Sequence, residues 1–147
     1  MAKQMTVPIL IIALGGSVLF SSPAGLVAAQ EVIKVERVRN LGSGFRLENQ
    51  MRPSKSSFEA VGHFVFLYYK KIELSQTDIV SVAPSGKQAL FQDGPTGDIV
   101  LFVVANQNKR TLLPFSGSLV QGFRWTRDET EVNVTFQDNS VRSVKTR

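Results

Sequence analysis

The 147-residue chain has no cysteine. Disulfides, thiol nucleophiles, thiolate zinc sites and iron–sulfur clusters are therefore excluded. So is the lipid-bearing cysteine that follows the cut in a diacylated lipoprotein. Histidine occurs once, at His63, so a metal site built on imidazole has a single ligand. Serine–histidine catalysis has only this residue to use, and no G-x-S-x-G surrounds any serine. His63 lies in the apolar run Val61 to Tyr69 and reads as a strand histidine partly packed in the core. No glycine-rich phosphate cradle is present. Nor is there a long apolar run. Met5 to Phe20 is uncharged, but Gly15, Gly16 and Ser17 interrupt it, and it falls short of the ~20 apolar residues of a spanning helix.

Charge is modest as well. The net formal charge is +5, and Lys3 is the only charged side chain before Glu31. The basic excess is spread over Lys70-Lys71, Lys109-Arg110 and the tail Arg142, Lys145, Arg147. An even excess reads first as solubility. Binding of a polyanion is a weaker reading, and no nucleic acid partner is expected, because no aromatic platform accompanies the basic residues.

The N-terminus has the three parts of a cleavable signal peptide over Met1 to Ala29. Lys3 supplies the basic start and Met5 to Phe20 the apolar stretch. Ser21-Ser22-Pro23-Ala24-Gly25 breaks the helix, and Val27-Ala28-Ala29 places small residues before a cut at Gln30. The expected product is secreted or periplasmic, with no stable membrane anchor after cleavage. Residues 30–147 then form one domain, large enough to fold without staples.

That domain reads as strands and turns. Val32, Ile33, Val35 and Val38 alternate with Glu31, Lys34, Glu36 and Arg37, and Gly42-Ser43-Gly44 turns. Gln50 to Ser57 is polar, holds Pro53 and reads as a mobile loop. Phe58 to Leu74 is mostly apolar on both parities, as in a strand buried on both faces. Beyond it the punctuation is regular. Turns fall at Pro84-Ser85-Gly86-Lys87, Asp93 to Asp98, Asn106 to Lys109 and Arg127 to Thr130, with short apolar strands between them. Such a pattern, with no convincing amphipathic helix, predicts an all-β antiparallel meander of hairpins.

Two stretches resemble each other. Val82 to Asp93 and Arg124 to Asp138 both read strand, polar turn, apolar strand, Phe-Gln-Asp. The Phe residues are 45 positions apart, and Ala83 and Trp125 are 42 apart. A period in the low forties suits one four-stranded propeller blade. The motifs Ala83-Pro84-Ser85-Gly86-Lys87, Gly97-Asp98-Ile99-Val100-Leu101-Phe102, Lys109-Arg110-Thr111-Leu112 and Trp125-Thr126-Arg127-Asp128-Glu129 resemble the TolB-type β-propeller repeat. The resemblance covers residues 81–138, about one blade and the start of the next. Ser85 stands where that repeat has Asp, and Glu129 where it has Gly. The chain is too short for the four or more blades of a closed ring. A small two-layer sandwich or barrel, or a partial propeller, is expected rather than a closed single-chain propeller. A ring completed by several copies is the oligomeric alternative.

No catalytic constellation stands out, and neither metal nor cofactor is expected. Asp93 to Asp98 puts two carboxylates around a glycine-containing turn, which reads as a polar hairpin turn rather than a calcium site. Phe115, Phe123 and Trp125, with Lys109 and Arg110, are the candidate binding patch. The function expected is that of an exported, non-enzymatic β-domain that binds a protein or cell-envelope component. The alternatives are a small extracytoplasmic hydrolase using a carboxylate pair and a polyanion-binding protein.

Overall fold

A computed structural model describes residues 21–22, 25–26, 33–53 and 61–147. The expected signal peptide and its cut lie outside the described residues, apart from β1 (Ser21–Ser22) and β2 (Gly25–Leu26), which pair as a two-residue antiparallel ladder. Val35–Gln50 and His63–Arg147 form one compact unit, and Met1–Lys34 with Met51–Gly62 another.

The larger unit is all-β, with no helix among the described residues. Its strands follow one another as three antiparallel meanders, none closed into a barrel. The first sheet holds β3 (Lys34–Gly42), β4 (Phe45–Pro53), β5 (Val61–Tyr69) and β6 (Ile72–Gln76) in that order. The second holds β7 (Val80–Val82), β8 (Gln88–Gln92), β9 (Ile99–Val103) and β10 (Asn108–Leu113). The third holds β11 (Val120–Trp125), β12 (Glu131–Phe136) and β13 (Val141–Lys145). β4 runs on to Pro53, so Gln50 to Pro53, expected as the start of a mobile loop, are strand; residues 54–57 of that stretch lie outside the described residues.

Alternation decides the packing. Phe45, Leu47, Leu67, Tyr69 and Leu74 of the first sheet meet Ala89, Phe91, Val100 and Phe102 of the second. The rings of Phe45, Tyr69 and Phe102 stack within 4.9–5.9 Å of one another. On its other face the second sheet turns Leu90, Ile99 and Leu101 toward Val120, Val132, Val134, Phe136 and Val144 of the third. The middle sheet is thus buried on both sides, which is why Ile99 to Val103 reads as a continuous apolar run. Each fully buried Leu or Phe adds about 1.5–3 kcal/mol.

The sheets repeat in register. β4, β8 and β12 begin at Phe45, Gln88 and Glu131, so each starts 43 residues after the one before. The turn entering each strand holds a residue of positive φ at the same place: Ser43 (φ 54°, between Gly42 and Gly44, which are also positive), Gly86 (φ 72°) and Glu129 (φ 57°). The second and third turns close alike, Ala83 N–H on Gln88 O and Gly86 N–H on Ala83 O matching Thr126 on Glu131 and Glu129 on Thr126. Successive turns touch. A Cβ on Gly86 would lie 2.6 Å from Ser43 Cβ, so glycine there serves both the positive φ and the close approach. Glu129 reaches back to Ser85, its carboxylate accepting the Ser85 N–H (2.7 Å) and Oγ–H (2.6 Å).

Candidate functional site

Lys109 and Arg110 are neighbours on β10 and point to opposite faces. Lys109 Nζ donates to Leu74 O in the first sheet (3.0 Å), and Arg110 donates to Thr146 O beyond β13 (2.6 Å). Each cation ties β10 to a flanking sheet. Both also line a polar groove of about 220 Å³ with Asp93, Thr96, Asp98 and Thr111. Phe115 joins this region through its N–H, which Asp98 accepts at 2.8 Å, while its ring covers Gly97 and stays 49% exposed. Phe123 and Trp125 do not join it. They pack against the second apolar layer, and Trp125 Nε1 donates to Ser81 Oγ (3.0 Å). The candidate patch is therefore divided between one groove and one core.

The carboxylates are largely occupied in holding the backbone. Asp93 accepts from Ser75 Oγ (2.7 Å) and from Thr96 N–H and Oγ–H (3.2 and 2.8 Å). Burial by itself raises the Asp93 carboxyl, but the Ser75 and Thr96 hydrogen bonds and the charge of Lys109 together hold it below the ordinary value. Hydrogen bonds from Thr126 and Thr130 lower Asp128, and those from Ser140 lower Asp138, each on an exposed turn. In the first sheet Glu48 accepts from Arg46 and Gln50 (both 2.6 Å), Gln50 also donates to Tyr68 Oη (3.0 Å), and Tyr68 donates to Glu73 (2.9 Å). Arg46 lies over the Tyr68 ring at 4.7 Å. This network lies on the face turned away from the first apolar layer. Among the described residues no three His, Asp or Glu side chains gather to hold a metal. His63, expected to be partly packed in the core, is instead exposed on β5, with Nδ1 3.0 Å from Glu36. By alternation it shares a face with Val65, Leu67 and Tyr69, but it lies at the start of β5, away from the buried Leu67 and Tyr69.

Two further cations share one recess. Arg37 and Arg39, two positions apart on β3, make no side-chain hydrogen bond or ion pair with the described residues. They line a recess of about 400 Å³ with Leu47 and Asn49 of β4, Val65 of β5 and Asp78. Leu47 and Val65 of the first apolar layer form part of its lining, and the rest is polar. The recess is lined from β3, β4 and β5 of the first sheet and from Asp78, just before β7. Two guanidiniums face one carboxylate, Asp78, so the recess favours an anion. A planar guanidinium with no internal partner is suited to bidentate recognition of carboxylate or phosphate. Period-two alternation over Glu31 to Arg39 already places Arg37 and Arg39 on one face. That signal went unused because the apolar residues alone set the strand reading.

Known protein families, curated proteins and solved structures were all compared with the chain, and none matches it.

Proposed function

We propose that the chain is an exported, non-enzymatic β-domain that binds a protein or cell-envelope component through the Arg37–Arg39 recess. One observation carries the reading. No buried side-chain polar atom lacks a partner among the described residues, and Arg46, Lys109 and Arg110 are tied into the sheets, whereas Arg37 and Arg39 are exposed and gather on one recess. Two guanidiniums on one recess against the single carboxylate of Asp78 favour an anionic partner. The 43-residue spacing of the three sheets and their stacked turns also support taking them as successive blade-like units, as in the TolB-type repeat, in an open arc rather than a closed ring.

Two measurements test the reading together. Fractionation of cells expressing tagged chain is expected to place it outside the cytoplasm. Crosslinking of envelope extract to the wild type is expected to yield a species that Arg37→Gln/Arg39→Gln does not capture. Retention in the cytoplasm, or capture of the same species by the double variant, would overturn the proposal.

A further inference from the structure

We infer that the free edge of β3 takes up an extended acidic peptide as an added strand, with Arg37 and Arg39 binding carboxylates two residues apart on that peptide. The inference rests on the binding role proposed above and specifies its ligand.

The backbone supplies the first argument. β3 lies at the end of the order β3-β4-β5-β6, so among the described residues its one strand neighbour is β4. It is nine residues long, and every residue but Leu41 is exposed. At about 3.3 Å per residue the edge runs roughly 30 Å. An open edge of that length is a template for another strand unless something blunts it. No proline interrupts it.

Charge supplies the second. Residues i and i+2 of a strand point to one face, about 7 Å apart. An added strand presents its own alternate residues at the same spacing. Acidic residues at positions i and i+2 of the ligand would therefore meet the two unpartnered guanidiniums. Between them Val38, 50% exposed on the opposite face, would meet an apolar residue at i+1. The chemistry selects an extended segment in which acidic residues alternate with apolar or β-branched ones.

A second copy of β3 does not fit. Antiparallel pairing of the strand with itself about Val38 sets Arg37 of each copy opposite Arg39 of the other, and like charges directly opposite are destabilising. Edge arginines can also act simply as guards against aggregation. Guards, however, need not share a face or a recess, and Arg37 and Arg39 line one recess together.

The test uses the full chain and a blocked eight-residue peptide alternating Glu with Thr. Its controls are the Gln–Thr analogue and two analogues N-methylated on alternate residues, one in each phase. Titration calorimetry is expected to show binding of the Glu peptide, with Arg37→Gln and Arg39→Gln each losing about tenfold, since each removes one charge-assisted bidentate contact. The Gln analogue should fail, and one N-methyl phase should fail while the other binds, because only one set of peptide N–H groups faces β3. Circular dichroism of both variants keeps loss of fold distinct from loss of binding. Equal binding by both N-methyl phases would overturn strand addition and leave a general anion site. No peptide binding, with arginine-dependent capture of an envelope species intact, would overturn this inference alone. Loss of both would remove the binding role with it.

Discussion

At the scale of single residues, the two positions that depart from the TolB-type pattern bind each other. Glu129 sits at φ 57°, where glycine would be relaxed, and its carboxylate accepts two hydrogen bonds from Ser85. The side chain thus offsets the backbone cost of its own placement, which is about 1 kcal/mol relative to glycine. Glu129→Ala keeps the strain and loses the bonds, and is expected to cost about 1–2 kcal/mol in urea unfolding. Glu129→Gly relieves the strain and should cost less. If the glycine variant were more stable than the wild type, the clamp would contribute less than the backbone strain costs. Asp93 gives a pH signature. Its folded carboxyl lies below the ordinary value of 3.8 that it has when unfolded. The stability it contributes is therefore fully present above that ordinary value and is lost as pH falls through the folded one. The advantage of the wild type over Asp93→Asn should be constant from neutral pH down to about pH 5 and shrink steadily toward about pH 2. An advantage independent of pH would show that the carboxylate charge is not what the turn uses.

At the scale of strands and turns, the middle sheet is the element on which the packing depends. Leu101 is fully buried in the second layer, and Leu101→Ala is expected to cost about 2–5 kcal/mol. Val38→Ala on the open edge should stay within about 0.5 kcal/mol. Equal costs in denaturant titration would contradict the layering. The Asp93 to Asp98 turn makes a sharper case. Gly97 has φ +76°, and a Cβ there would lie 2.7 Å from the Phe115 ring. Gly97→Ala should lose more than about 1 kcal/mol, and adding Phe115→Ala should return the steric share while leaving the backbone share. These elements were legible in the sequence to unequal degrees. Pro, Gly, Asn and Asp punctuated the second and third sheets, and Ile99 to Val103 showed its burial by having no polar face. The Phe-Gln-Asp match gave a spacing of 45, whereas the strands repeat at 43. Phe91 and Phe136 keep the same facing but stand two residues apart along their strands, which alternation alone cannot detect. The first copy of the repeat, entered at Gly42-Ser43-Gly44, went unseen because Phe45 to Gln50 shares no motif with Gln88 to Asp93. Only the position of a positive-φ residue matches. The arginine recess was hidden for a different reason, since its lining comes from β3, β4, β5 and Asp78, which lie apart in the sequence.

At the scale of the whole molecule, the third sheet determines how the stack ends. With Val132 and Val134 buried, Glu131, Asn133 and Thr135 of β12 face away from the core. Across β13 they pair with Lys145, Ser143 and Val141, and Arg124 of β11 lies opposite Asn133. Apart from Val141, this outer face is polar or charged. A repeat stack is soluble when its terminal units carry polar outer faces, and a fourth sheet would find little apolar area here to bury. Copies of the chain should therefore not assemble through this face into a ring. Sedimentation equilibrium is expected to give the mass of one chain at micromolar concentration. Asn133→Val with Thr135→Ile would join Val141 in an apolar stripe and is expected to drive concentration-dependent association. A wild type that is already multimeric, and that Asn133→Arg dissociates, would show that the polar face is an interface and restore the assembled ring.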